Sequence, residues 1–209
     1  MPSPWTYDDA SHRYRNTETG RYIGKTQLLE LRDTFVESQR TLMDGYAARV
    51  ASGDWTVQQW KLETWETLKD TYIDEYAAGR GGKHILTQQD YGSIGGMLSS
   101  QSDYFNKFAD AVARGDLSEA QIRMRAKMYI DSATQSFERG RSRAQGVPVL
   151  PAYPGDGSTI CKGNCKCHWD IRETETTWDA YWTLGVAEHC EDCVDRASRW
   201  APYQIAKAI

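Results

Sequence analysis

Apolar residues recur every three or four positions over most of the first 146 residues, which is the spacing of a buried helix face. One such stretch covers residues 26–53, and a second covers residues 56–78. A third follows an N-cap signal at the start of residues 87–115, and a fourth covers residues 116–143. Three glycines within residues 92–96 predict that another backbone approaches the third helix closely. The pattern indicates an elongated helical body of about four helices.

The two ends of the chain depart from this helical pattern. Residues 13–23 alternate and turn like a small hairpin, which is marginally stable unless it docks on something. Residues 147–158 are rich in proline and glycine, which neither a helix nor a central strand tolerates. The sequence therefore predicts a mostly α fold in three parts: an N-terminal arm (1–24), the helical body (25–146) and a C-terminal module (147–209).

Two short segments of the C-terminal module alternate in polarity and predict an antiparallel β-ribbon. They cover residues 168–172 and 177–183, with four polar residues between them. A two-stranded ribbon of this size does not fold by itself, so we expect a bound metal ion to supply folding energy.

All the cysteines of the chain lie within 33 residues of this module, and the first 160 residues contain none. An odd number of clustered cysteines argues against a disulfide framework and favours a shared ligand. Two short-spaced groups separated by about 15 to 25 residues are typical of a structural, tetrahedral zinc site. The predicted zinc-binding residues are Cys161, Cys165, Cys167, Cys190 and Cys193.

The second cysteine group is the clearer half of the predicted site. Cys190 and Cys193 precede a segment predicted to be helical (194–200), so both thiolates would lie at a helix N-terminus, where their ionised form is favoured. A Cys-x-x-Cys at a helix start is also typical of a thiol redox motif, and free cysteines are common as small buried hydrophobes. Catalytic zinc is disfavoured because it needs an open coordination position, whereas four or more thiolates indicate a closed shell.

The first group offers three cysteines for two ligand positions. Cys161 can pair with Cys165 or with Cys167, and the spacing does not choose between them. His168 and His189 flank the cysteines and are alternative ligands or hydrogen-bond partners of a thiolate.

Charge and composition narrow the classes of function. The net charge is −4, from 25 basic and 29 acidic residues, so no domain-wide basic field is present to hold a nucleic acid backbone. No apolar run approaches the length of a membrane span, and the N-terminus has no secretory signal, so we expect a soluble protein folded in a reducing cytoplasm. A local basic rim on the fourth predicted helix is either a solvated face or a contact for packaged DNA or an acidic partner; it comprises Arg123, Arg125, Lys127, Arg139, Arg141 and Arg143.

No catalytic motif stands out in the sequence. There is no nucleophile elbow, no phosphate-binding glycine-rich loop and no His-Glu-x-x-His, so the sequence predicts a protein that is not an enzyme. The chain carries eight tryptophans, which are interpreted either as contact surfaces for other subunits or as ordinary core.

The cysteine segments resemble those of the phage minor head, or head morphogenesis, proteins of the phage Mu and SPP1 type. The matching elements are Asn164-Cys165-Lys166-Cys167 and His189-Cys190-Glu191-Asp192-Cys193. The upstream residues are also similar to the helical part of such proteins. The order of the two elements is inverted relative to the commoner arrangement, and Cys161 stands near where a histidine is often found. The resemblance implies a non-enzymatic virion component that assembles in the host cytoplasm, is oligomeric in the particle and contacts capsid or portal subunits. The rival hypothesis is a zinc-containing nucleic-acid-binding protein that assists genome packaging.

Overall fold

A computed structural model describes residues 5–186 and 188–207 of the chain. The helical body contains five helices: α1 (Lys25–Ser52), α2 (Val57–Arg80), α3 (Gln88–Ala113), α4 (Glu119–Ser132) and α5 (Thr134–Ala144). Capping boxes at Thr56, Thr87 and Ser118 start α2, α3 and α4, because each side chain accepts the backbone N–H three residues later. The predicted body of mostly helical structure is confirmed, with one helix more than expected.

The predicted fourth helix is divided at Ala133. The amide of Ala133 donates to the carbonyl of Ile130 (3.0 Å), and the amide of Ser136 donates to the carbonyl of Ala133 (2.8 Å). Both hydrogen bonds span three residues instead of four, so the helix is locally tighter there. This change allows α5 to pack closely along α2 through Gly79 and Gly140, each of which faces the backbone of the other helix with no room for a Cβ. The close approach expected at residues 92–96 is wrong, since those glycines face open space.

The core of the body is aromatic and lies between α1, α2, α3 and α4. Trp60, Phe105 and Phe108 are buried and in ring contact, with centroid separations of 5.3–6.3 Å. Trp55 and Trp65 pack against the same cluster, which supports the core interpretation for both side chains. None of the helices within the described residues combines the length and apolar character needed to cross a bilayer.

The N-terminal arm is a three-stranded antiparallel sheet in the order β1 (Trp5–Asp8), β2 (Arg13–Asn16), β3 (Tyr22–Ile23). It contains the predicted hairpin and one further strand. Tyr14 is buried and donates its hydroxyl hydrogen to the carbonyl of Gly79, so the arm docks at the C-terminal end of α2. The sheet also packs against buried residues of α1 and α5, which stabilises an element too small to fold alone.

The C-terminal module forms a second antiparallel sheet in the order β4 (His168–Glu173), β5 (Thr177–Thr183), β6 (Tyr203–Ala206), with α6 (Glu191–Arg199) before its last strand. The predicted two-stranded ribbon is present, and β6 adds a third strand. Trp169 contacts Trp182 edge to face at 5.2 Å and stacks on Trp200 at 5.3 Å, and both Trp169 and Trp182 are buried. The module therefore has an aromatic core of its own, which no pattern in the sequence predicted.

Candidate metal centre

Two loops at one end of the second sheet carry the five cysteines. Cys161 and Cys165 flank a short 3-10 turn (Lys162–Asn164), in which the amide of Asn164 donates to the carbonyl of Cys161 at 3.0 Å. Cys190 is the N-cap of α6, and Cys193 lies in the first turn of that helix, as predicted. His168 pairs with Thr183 at the open end of the β4–β5 hairpin, so the segments before β4 and after β5 emerge at the same end.

Gly185 brings the two loops close together. It lies against the backbone of Lys166, and a Cβ on Gly185 would stand 2.8 Å from the Lys166 carbonyl carbon. The second loop is also tied to the first through α6. The side chain of Asp192 accepts the backbone N–H of Ile160 at 2.8 Å, and Arg196 donates to the carbonyl of Ser158 at 2.9 Å. These contacts fix α6 against the segment that leads into Cys161.

Three sulfur atoms form a compact group. The Sγ atoms of Cys161 and Cys193 are 3.8 Å apart, and those of Cys165 and Cys193 are 3.6 Å apart, with all three ligand atoms within 4.8 Å of one another. A zinc ion with Zn–S bonds of about 2.3 Å sets its tetrahedral sulfurs about 3.8 Å apart. Both measured separations are far longer than the ~2.05 Å of a disulfide. The cluster has the spacing of ligands around one metal ion.

Two further sulfurs are available for a fourth ligand position. Cys190 interacts with Cys161 and Cys193, whereas Cys167 interacts with Cys165 and Cys193. Cys167 is buried and Cys190 is partly exposed. The structure thus brings all five predicted cysteines to one place, and both candidates for the fourth position adjoin the three-sulfur group.

The electrostatics of the group oppose several uncompensated thiolates side by side. Burial raises the pKa of Cys161 to about 11, and the contact with Cys167 together with burial raises the pKa of Cys165. Burial opposes ionisation of Cys190, but backbone hydrogen bonds from Cys193 and Cys161 outweigh it and lower the Cys190 pKa. Several adjacent thiolates repel one another, and a divalent cation bound among them compensates their negative charge. The group therefore holds either protons or a metal ion.

The two histidines considered as alternative ligands lie outside the three-sulfur group. Within the described residues, the only set of at least three potential ligand atoms with this close spacing consists of Cys161, Cys165 and Cys193. His168 begins β4, where burial and the nearby charge of Lys25 lower its pKa to about 4 and keep the imidazole neutral.

A buried ion pair within α5 holds the backbone of β4 and so fixes the cysteine-bearing module on the helical body. Arg141 donates to the Oε2 of Glu138 at 2.8 Å and also donates to the carbonyl of Trp169. The backbone N–H of Trp169 donates to the same Glu138 oxygen at 3.1 Å, and both charged side chains are buried. Lys25 of α1 pairs with Asp170 at 2.9 Å at the edge of this contact. Sequence reasoning missed this set, because Trp169 is 28 residues from Arg141 and 31 from Glu138, and no periodic pattern connects them.

The basic rim predicted on the fourth helix does not exist as one continuous face. The helix is divided into α4 and α5, and Arg141 is buried in the ion pair just described. Arg123 is paired with Glu119, and Lys127 is paired with Asp44 at 2.7 Å. The rim interpretation is therefore wrong for Arg141, whereas Arg123 and Lys127 lie on a partly exposed face where acidic residues of the chain compensate their charges.

Comparison of the chain with protein-family models, with curated proteins and with solved structures produced no match.

Proposed function

We propose that this chain is a non-enzymatic phage virion protein of the minor head or head morphogenesis type, in which the C-terminal cysteine cluster binds one structural zinc ion. The observation that carries the zinc assignment is the spacing of three sulfurs: the Sγ of Cys193 stands 3.8 Å from that of Cys161 and 3.6 Å from that of Cys165. The virion assignment rests on the resemblance of the two cysteine segments to that family.

The donor set favours zinc over other metals. Thiolates are soft ligands that select zinc, copper(I) or iron–sulfur clusters over magnesium and calcium. Sulfurs that surround a cluster of several irons and sulfides stand further apart than sulfurs around a single ion, so the observed spacing favours one ion. Copper(I) prefers fewer thiolates than the five that adjoin this site, whereas closed sets of four thiolates are the usual structural zinc site.

A structural role for the ion follows from where its ligands lie. The two cysteine loops meet beyond the end of the β4–β5 hairpin, and the ion would join them across the module. Four thiolates leave no open coordination position for a substrate or an activated water. The ion would stabilise the module, and the module is in turn fixed to the helical body through Glu138 and Arg141.

Metal content tests the zinc assignment directly. We expect about one equivalent of zinc by mass spectrometry in protein purified without chelator, and a lower melting temperature after chelation. The variant Cys193→Ser should lose the metal, whereas Val194→Ala, a change at an exposed position on the same helix, should retain it. Less than half an equivalent of zinc, together with unchanged melting after chelation, would refute the structural metal.

Assembly tests the virion assignment separately. The chain should be co-expressed with candidate capsid and portal subunits, and the resulting particles purified by density gradient. We expect the wild-type chain and Val194→Ala to co-sediment with precursor heads, and Cys193→Ser to be depleted from them. Absence of the wild-type chain from precursor and mature particles alike would contradict the assignment, whatever the zinc content.

A further inference from the structure

An open groove of about 660 Å³ lies between α3, α4 and the segment that leads to the first cysteine loop. Large apolar side chains line it but are not covered by the chain. Tyr104 is 67% exposed, Met124 is 59% exposed and Met128 is 40% exposed. Tyr129 forms part of the floor, where its ring stacks on Phe108 at 5.9 Å. Contiguous apolar surface of this kind marks a binding groove more often than isolated exposed residues do.

Three cations also line the groove: Lys107 on α3, Arg125 on α4 and Lys162 beside Cys161. All three are exposed, and within the ranges 5–186 and 188–207 none of them forms an ion pair. The one carboxylate in the lining, Asp156, accepts hydrogen bonds from the backbone amides of Tyr153 (2.7 Å) and Ser158 (2.9 Å) in its own turn. The groove is therefore positively charged in a chain whose net charge is −4.

The exposed apolar side chains and the unpaired cations of the groove together indicate which kind of molecule it binds. Methionine side chains adapt to apolar partners of varied shape, and they are common on surfaces that bind peptide segments. Complementary charge steers an acidic partner to the groove and disfavours a basic one. Three cations are too few to hold a long polyanion on an acidic protein at physiological salt, which disfavours a nucleic acid strand.

We propose that this groove binds a short acidic segment of a partner protein, with two or more apolar side chains seated on Tyr104, Met124 and Met128 and acidic side chains paired with Lys107, Arg125 and Lys162. The groove residues carry this proposal, and it holds whether or not the cysteine cluster binds zinc.

One wall of the groove belongs to the first cysteine loop. Gly163 lies directly on α4, where a Cβ on Gly163 would stand 2.7 Å from the Ser132 hydroxyl and 3.0 Å from the Met128 carbonyl oxygen. Lys162, the residue before it, has a backbone φ of 48°, and its side chain is exposed at the mouth of the groove. The loop that positions Cys161 and Cys165 therefore also positions one of the three cations.

A library of randomised twelve-residue peptides displayed on a surface tests the proposal with the full chain as purified. We expect the enriched peptides to carry a net negative charge and at least two large apolar residues. Labelled synthetic copies of those peptides, measured by fluorescence anisotropy, should bind the double variant Met124→Ser/Met128→Ser at least about tenfold more weakly than wild type. The double variant Lys107→Glu/Lys162→Glu should lose binding to a similar extent.

Matched control variants on α2 distinguish the groove from general surface effects. Leu62→Ser alters an apolar side chain that is 57% exposed, close to the value for Met124, and Lys61→Glu reverses a charge on the same helix. Both controls should bind the peptides within about twofold of wild type. Because every substituted groove residue is exposed, the far-ultraviolet circular dichroism of all variants should match that of wild type.

Four results would overturn the proposal: no enrichment of any peptide, no excess of acidic residues among enriched peptides, equal binding by the groove and control variants, or tighter binding by a single-stranded DNA 20-mer than by the peptides. Metal content measured on the same samples separates this proposal from the zinc assignment. A chain without zinc that still binds acidic peptides through Met124 and Met128 would refute the zinc assignment and support the groove.

Discussion

Replacing Glu138 with glutamine tests the contact that fixes the C-terminal module on the helical body. Glu138 is buried, and its Oε2 accepts hydrogen bonds from Arg141 at 2.8 Å and from the backbone N–H of Trp169 at 3.1 Å. Burial opposes ionisation of this carboxyl, but Arg141, Arg32 and the backbone N–H of Trp169 together outweigh burial and lower the Glu138 pKa. The folded protein therefore holds a carboxylate and a guanidinium side by side in its interior.

The size of the effect follows from the charge that the substitution leaves behind. Glutamine keeps the volume of glutamate, so no cavity forms, but the guanidinium of Arg141 loses its compensating charge while it remains buried. Breaking a buried pair in this way costs about 3–5 kcal/mol of unfolding free energy. The double variant Glu138→Leu/Arg141→Met removes both charges and should cost less than the single variant, because no buried charge is left without a partner.

Urea unfolding followed by tryptophan fluorescence and by far-ultraviolet circular dichroism measures this loss. Fluorescence reports the tryptophans of both parts, Trp60 in the helical body and Trp169 in the module among them, whereas circular dichroism reports mainly the helices. The control Glu66→Gln breaks an exposed ion pair with Lys69 on α2 and should cost less than about 1 kcal/mol. If Glu138→Gln proves no more destabilising than this control, the buried pair does not hold the module in place and the reasoning is wrong.

Three further substitutions test other parts of the structure. Burial raises the pKa of Glu75 to about 8, although the nearby Arg32 partly opposes this shift, so the unfolded chain ionises first and the free energy of unfolding falls as pH rises from about 4.5 to 8. Glu75→Gln should flatten the pH dependence of the urea midpoint and gain about 3 kcal/mol of stability at pH 7 relative to wild type. A pH profile parallel to that of wild type would contradict the shift. Gly163→Ala should push the first cysteine loop off α4, at a cost of about 1–3 kcal/mol in thermal or urea unfolding, whereas unchanged stability would show that the loop yields freely. Of Cys167→Ser and Cys190→Ser, one should keep about one equivalent of zinc and the other should lose it, because a tetrahedral site takes four of the five thiolates; full retention by both variants would place the fourth ligand elsewhere.

Local features of the fold were predictable from the sequence because their physical causes are local. A threonine or serine cap and its partner stand three residues apart, so the starts of the helices at Thr56, Thr87 and Ser118 follow from nearby residues alone. The alternation that predicted β4 and β5 is a similar short-range pattern. The placement of Cys190 at the start of α6 also follows from the residues that come directly after it.

Features that depend on distant residues could not be predicted in the same way. The sequence indicated a close backbone approach at residues 92–96, whereas the structure has it at Gly79 and Gly140. A glycine permits close packing but does not specify which helix will approach it. For the same reason Arg141 was assigned to a solvated rim, although its partners Glu138 and Trp169 hold it in the interior. The periodicity of one helix predicts its buried face, but it does not show that a strand 28 residues further along presents a carbonyl to a buried arginine.

The first cysteine loop connects the two proposals through ordinary packing. Cys161 and Cys165 require the turn between them to keep a single conformation, and that same turn rests on α4 through Gly163. A metal ion that orders the turn therefore also fixes the position of Lys162 relative to Met128 in the groove. Binding energies that share an ordered element are reciprocal, so an acidic segment bound in the groove would raise the affinity for the metal by the same factor by which the metal raises the affinity for that segment. A cluster of thiolates at one end of a small sheet can in this way stabilise the module and also shape a surface on the helical body.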